Sequence, residues 1–285
     1  MDIVNFTYKQ DGIFNLTYKP ITREMDSWML EIDNTTKNIA KSTTKPIFLC
    51  FSGGIDSEVV ALSLIKNNID FTILTVKHTE GTNSHDIHYT YEFCKKHNIK
   101  QVIVDLDVTE FFTNGIKDYI QQGYKAIRIF RYLQLFILET VEKMGGCAIL
   151  CSGEQVYCNI EGEICLNRDL GYMMALEWCK NNNTLHYPYF FEQNSELFAS
   201  YMKLDLIDYL IKDPTYFTNY IDNMSTEKII IYHKYWPNMK KRNKYHGFER
   251  IHPLKNKMEA ELRKLFPEIV PIFFPISKIK QQLGI

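Results

Sequence analysis

The 285-residue chain has no apolar run long enough to cross a bilayer, and its first residues lack the basic-then-apolar pattern of a secretory leader. Neither a membrane partner nor an exported fold is expected. An excess of one charge is also missing. Lys and Arg number 33 against 34 Asp and Glu, a net of −1, so no global field draws the chain to nucleic acid or membrane. There is no internal repeat, no low-complexity tract beyond Asn181-Asn182-Asn183 and no Gly/Ser-rich linker. The seven cysteines (Cys50, Cys94, Cys147, Cys151, Cys158, Cys165, Cys179) are odd in number and include no Cys-x-x-Cys pair. They read as reduced thiols of a cytoplasmic protein rather than a disulfide framework. The Gly-Lys-Ser/Thr ending of a Walker A loop and the G-x-G-x-x-G of a dinucleotide fold are absent as well.

What is present is Phe51-Ser52-Gly53-Gly54-Ile55-Asp56-Ser57, set between the apolar run Pro46–Phe51 and the helix-like Glu58–Lys66. A strand ends, two glycines turn the backbone and a helix begins. That order leaves free N–H groups at the positive end of a helix, a ready phosphate site. The glycines allow φ > 0 and close approach to an anion. Ser52 and Ser57 add hydroxyl donors, and Asp56 places a carboxylate where a Mg²⁺ bridging phosphates could sit. The plainer reading is a tight strand-to-helix turn with Ser or Asp as N-cap.

The run Ser52-Gly53-Gly54-Ile55-Asp56-Ser57 resembles the signature of the PP-loop, or N-type ATP pyrophosphatase, superfamily. That superfamily includes GMP synthetase, NAD synthetase, the synthetase half of asparagine synthetase, tRNA-lysidine synthetase, 7-cyano-7-deazaguanine synthase and phosphoadenylylsulfate reductase. The resemblance implies an adenine nucleotide alpha-hydrolase-like α/β fold that cleaves ATP between the α- and β-phosphates, with Mg²⁺. Residues 52–57 would hold pyrophosphate, and AMP would pass to a carbonyl or carboxylate oxygen. Adenine would be held at the end of the second core strand, at Thr75-Val76-Lys77, largely through backbone groups.

The surrounding pattern predicts a parallel sheet. Ile3–Tyr8 and Ile13–Tyr18 flank Gln10-Asp11-Gly12 as a hairpin, and helical spacing runs from Ile21 to Ile39. Strands are expected over 46–51, 69–76, 100–105 and 147–151, with helices over 57–67, 84–97 and 124–144. In such sheets ligands sit at the carboxyl ends of the strands, which gathers the loop, Thr75-Val76-Lys77 and Ser152-Gly153-Glu154. From about residue 185, helical segments over 194–212, 225–236 and 254–265 alternate with prolines. The divisions expected are a hairpin and helix over 1–42, an ATP-binding core over 43–184 and a helical, basic C-terminal substrate region over 185–285.

Several further residues carry chemistry. Arg128 and Arg131 stand three apart in the 124–144 helix, hence on one face, where they could clamp phosphate or carboxylate or form a solvated basic face. Ala126–Tyr132 resembles the Ala-Arg-x-x-Arg-Tyr segment of tRNA-lysidine synthetase. Glu154 could bind Mg²⁺, position the adenylated substrate or start a turn. Ser152-Gly153-Glu154 is similar to the Ser-Gly-Glu run of asparagine synthetase and departs from it at Gln155-Val156-Tyr157. Cys147, Cys151, Cys158 and Cys165 are read as buried thiols before zinc ligands, and His85 and His88 as a solvated helix face. The closely spaced zinc cysteines of the deazaguanine enzyme and the thiols of the sulfur-transfer members are absent.

The stretch 228–264 is basic and interleaved with Tyr232, Tyr235, Trp236, Tyr245 and Phe248. It can follow a phosphate backbone, return lysines to the mouth of the site, or form a solvated face. The expected activity is adenylation of a carbonyl or carboxylate for attack by a nitrogen nucleophile. The alternatives are a tRNA- or nucleobase-modifying enzyme and a non-catalytic adenine-nucleotide-binding protein. With Met1-Asp2 at the start, no N-terminal cysteine glutaminase is expected. The partners admitted are a small-molecule or nucleobase/tRNA substrate, a nitrogen donor and a second copy of the chain.

Overall fold

The computed structural model describes residues 4–8, 14–151, 157–168, 170–205, 207, 232–240, 242 and 248–285, with the backbone alone described at 4–8, 14–16, 157, 158 and 170. Strands β1 (Val4–Tyr8) and β2 (Phe14–Tyr18) pair antiparallel with Val4 opposite Tyr18. The expected hairpin is thus formed, and its turn lies outside the described residues. Helix α1 covers Trp28–Ser42 and begins later than its periodicity suggests. Tertiary bonds hold the residues before it in a non-helical path. Thr22 N–H and hydroxyl both donate to Glu196, Ile21 N–H donates to the Leu283 carbonyl, and Arg23 pairs with Glu31.

The core alternates strand and helix: β3 (Ile47–Cys50), α2 (Ile55–Lys66), β4 (Thr72–His78), α3 (Ser84–His97), β5 (Gln101–Leu106), α4 (Val108–Glu110), α5 (Ile116–Gln121), α6 (Ile129–Lys143) and β6 (Cys147–Leu150). A π-turn over Phe111–Gly115 joins α4 to α5. The four strands form one parallel sheet in the order β5-β4-β3-β6. Continuous apolar runs such as Ile47-Phe48-Leu49 suit strands covered on both faces, and Leu49, Ile149, Val60 and Leu64 are fully buried. Tyr187 extends the sheet past β6, giving its N–H to the Ala148 carbonyl at 2.8 Å and accepting from Leu150 N–H at 2.9 Å. The chain moves outward from β3 to β5 and returns on the far side of β3. The order therefore reverses between β3 and β6, and ligand crevices open above such a reversal. This α/β architecture, a parallel sheet with flanking helices, is the one expected.

Helix α6 starts at Ile129 rather than Tyr124. The Tyr132 hydroxyl accepts from Ala126 N–H at 3.1 Å and faces the carbonyls of Tyr124 and Ala126, each at 3.3 Å, so 124–128 tuck beneath the helix instead of joining it. At the other end Gly146 lets the chain re-enter the sheet, because a Cβ there would meet the Phe48 ring at 2.4 Å.

The remaining elements follow the sequence reading in part: helices stand within 194–212 and over 254–265 as expected, while 208–231, with most of the helix expected over 225–236, lies outside the described residues. Strands β7 (Tyr157–Ile160) and β8 (Glu163–Arg168) form a second hairpin. Helices α7 (Met174–Asn181), α8 (Ser195–Met202) and α9 (His252–Leu265) follow, then β9 (Ile272–Pro275) and α10 (Ile276–Leu283). The C-terminal region is therefore not wholly helical. β9 pairs antiparallel with β8, and the prolines at 271 and 275 bracket this edge strand, where they cost no ladder bond. Arg168 ends β8 in a buried ion pair with Glu192, whose other oxygen accepts from the Tyr172 hydroxyl. Glu192→Ala would strand a buried guanidinium, and urea unfolding should show a loss on the order of 3–5 kcal/mol.

Candidate functional site

The loop after β3 is tied down at its base. Phe51 N–H donates to the Leu74 carbonyl at 2.9 Å, and the buried Thr75 hydroxyl donates to the Phe51 carbonyl at 3.1 Å. Gly53 follows with φ +100°, and a Cβ there would lie 2.2 Å from the Asp86 carbonyl oxygen. Both facts require glycine. Gly54 is the extended N-cap of α2, whose first residues are Ile55, Asp56 and Ser57. Their N–H groups precede the first possible intrahelical acceptor, so they point out of the helix at its positive end. Ser52 is exposed, while Asp56 and Ser57 are buried. The strand, the turn and the helix start thus stand where the sequence reading put them.

Helix α3 begins against the same loop. Burial raises the Asp86 carboxyl to about 7, with Glu249 adding to the rise and Arg242 opposing it. Asn83, just before α3, spans the open edge of β4: its Oδ1 accepts from His78 N–H at 3.0 Å and its Nδ2 donates to the Val76 carbonyl at 2.9 Å. Thr75, Val76 and Lys77 also pair with Ile103, Val104 and Asp105 of β5. The Val76 carbonyl, part of the edge expected to meet adenine, therefore already has the Asn83 side chain as partner. Lys77 extends toward Asp105 at 3.6 Å.

A C-terminal strap covers the two helix starts. The buried Tyr232 hydroxyl donates to Asp56 Oδ1, and burial beside that carboxylate holds the phenol well above its ordinary pKa, so it remains a donor. Arg242 pairs with Glu58 in the first turns of α2 at 2.5 Å, and its guanidinium lies 4.6 Å from the Tyr89 ring centroid on α3. Glu249 reaches His85 at 3.2 Å, and Arg250 donates to Ser84 Oγ at 3.0 Å. Asn83, Asp86, Tyr232 and Arg242 were not singled out as site residues. Asp86 carried a local signal as an acid in the first turn of a helix, whereas the Tyr232–Asp56 contact spans 176 positions and has none.

The arginine pair is not the one-faced clamp expected. Arg128 precedes α6 as its extended N-cap and turns to Glu259 of α9 at 3.2 Å. Arg131 lies within α6, with its guanidinium 5.3 Å from the Tyr172 ring and 5.9 Å from that of Tyr189. Tyr189 bridges Cys151 at the carboxyl end of β6, so Arg131 alone borders that sheet edge. Ser152, Gly153 and Glu154 lie outside the described residues. Cys147 belongs to the parallel sheet, Cys151 follows it in an isolated antiparallel bridge to Tyr189, and Cys158 and Cys165 are opposite in the backbone register of β7 and β8. Among the described residues no group of three or more His, Cys, Asp or Glu is placed to hold a metal ion. Mg²⁺ does not need one, since it commonly binds through one or two carboxylates plus phosphate oxygens and water. Asp56 in the first turn of α2, and Asp86 against Gly53, fit that donor set.

No family model matches the chain, and no curated protein does. Among solved structures it is similar to an NMN synthetase from Francisella tularensis, at 14% identity over 82% of this chain and 94% of that one, with a TM-score of 0.36. It is also similar to an NH3-dependent NAD synthetase from Campylobacter jejuni subsp. jejuni NCTC 11168 in complex with the nitrate ion, at 15% identity over 85% and 93% of the two chains and the same TM-score of 0.36. At that level of superposition the functional reading rests on the chain's own residues.

The raised Asp86 carboxyl has a sign. Its proton is held more tightly in the folded state, so the stability it supports is complete below about pH 4 and is lost as pH rises toward 7. Asp86→Asn keeps a neutral side chain throughout. Its melting temperature should exceed that of the parent by a margin that grows between pH 5 and pH 8, measured by calorimetry.

Proposed function

We propose that this protein is an ATP pyrophosphatase that adenylates a carbonyl or carboxylate substrate for attack by a nitrogen nucleophile. The observation that carries this reading is the loop at 52–57: a glycine at positive φ, and the free N–H groups of α2 directed above the sheet at its point of strand reversal. The β- and γ-phosphates rest on these N–H groups and on the Ser52 and Ser57 hydroxyls. Asp56 and Asp86 would hold Mg²⁺, which neutralises charge on the phosphates when bound. A substrate oxygen attacks the α-phosphorus, its bond forms as the α–β bridging bond breaks, and pyrophosphate leaves. The nitrogen nucleophile then adds to the activated carbon and AMP departs. Arg131, held by aromatic rings beside the end of β6, is suited to an anionic acceptor.

The chain's part is positioning and charge stabilisation rather than covalent catalysis. A nucleic-acid substrate gains no support from Lys234, Lys240, Arg242 and Arg263, which pair with Asp205, Glu92, Glu58 and Glu259.

The test reads the products of ATP by ³¹P NMR, with pooled metabolites and separately with tRNA. AMP and pyrophosphate are expected in one pool. Asp56→Ala, or Ser52→Ala combined with Ser57→Ala, should abolish pyrophosphate release. ADP and phosphate as products, or unchanged conversion to AMP in those variants, would overturn the assignment.

A further inference from the structure

Arg242 carries a charge that the fold only half accounts for. Its side chain is 3% exposed, and among the described residues the acid it pairs with is Glu58, through Nη1. Its Nε and Nη2 groups are buried and have no hydrogen-bond acceptor among the described residues. A buried donor without an acceptor costs the full desolvation of that group, and a charged one costs more. Such donors are kept where an acceptor arrives with a ligand.

The position of the guanidinium says which ligand. Glu58 lies one turn into α2 from the Gly54 cap, and Tyr89 lies one turn into α3 from Asp86. Arg242 touches both, so it bridges the two helix starts that meet at Gly53. Glu58 lies against Nη1 as an ion pair, and the Tyr89 ring supports the face of the planar group. The remaining edge, Nε with Nη2, is the pair that grips two oxygens of one phosphate in a bidentate manner.

We propose that Arg242, delivered by the C-terminal strap, is a phosphate-binding residue that donates Nε–H and Nη2–H to the pyrophosphate group of the bound nucleotide. This assignment rests on the ATP-pyrophosphatase reading above. It gives the strap a chemical role: the strap completes the phosphate site instead of only covering it. The ion pair with Glu58 makes the guanidinium locally neutral before ligand arrives.

The experiment measures binding of inorganic pyrophosphate with MgCl2, and separately of AMP, by calorimetry to the whole chain. Arg242→Ala should weaken pyrophosphate roughly 10- to 100-fold, the loss of a charge-assisted bidentate contact, and leave AMP unchanged. Arg250→Ala loosens the strap at an exposed bond and should shift pyrophosphate binding by less than about 3-fold. Should Arg242→Ala fail to melt cooperatively, Arg242→Lys is read in its place. It keeps the charge, loses the fork, and should weaken pyrophosphate several-fold with AMP unaffected. Parent-like pyrophosphate binding in the folded variant overturns the role of Arg242 and leaves the loop assignment standing. Equal losses for pyrophosphate and AMP, or the same loss in Arg250→Ala, mark a bracing residue and also overturn it. A parent chain that binds neither ATP nor pyrophosphate overturns both readings.

Discussion

Two backbones meet at Gly53, and the organisation of the loop follows from that approach. The Asp86 carbonyl stands where any side chain on residue 53 would have to be. With a glycine there, the starts of α2 and α3 face one crevice; with anything larger, the two helices part. The loop cannot drift to relieve the contact, because Phe51 is bonded to Leu74 and Thr75. Asn83 fixes α3 from the other side by closing the edge of β4. Hydrogen bonds from the end of β3, from β4 and from the start of α3 therefore converge on one position without a Cβ.

The electrostatics around that point are unusual for an anion site. Asp56, Glu58, Asp86 and Glu249 all lie near the loop, and the partial charge of a helix start is worth only about 0.3–1 kcal/mol per anion at an exposed position. Left unopposed, the acids would win. The fold answers each of them: Tyr232 donates to Asp56, Arg242 neutralises Glu58, His85 faces Glu249, and burial raises the Asp86 carboxyl to about 7. What remains is a loop able to accept phosphate together with a divalent cation, which is the form in which nucleotides arrive.

The sequence made the parallel sheet legible because buried strands and their helices carry local signals: apolar runs, amphipathic spacing and glycines at the turns. It made residues 52–57 legible for the same reason, since a strand, a turn and a helix start are contiguous there. It gave too early a start to α6, because the hydroxyl of Tyr132 captures the backbone of 124–126 from within the helix it belongs to. That error also paired Arg128 with Arg131 on one face. β9 was hidden because Pro271 and Pro275 read as breaks, although an edge strand tolerates them. The strap was legible only as a basic, aromatic stretch that could return to the mouth of the site, without its particular partners. Tyr232 and Arg242 acquire meaning only from partners in α2, which no local pattern can announce.

The ends of the described chain meet. Tyr18 N–H donates to the Gln282 side chain at 2.9 Å, across 264 positions, and Ile21 N–H donates to the Leu283 carbonyl at 3.1 Å. Closing so long a loop late carries a slow, logarithmic entropic cost, but it sets an order in time. A ribosome emits β2 long before α10, and the N–H groups of Tyr18 and Ile21 must wait for α10 to meet these acceptors. The parallel-sheet middle can collapse on its own schedule, while the contact between β2 and α10 is settled only once α10 has been made.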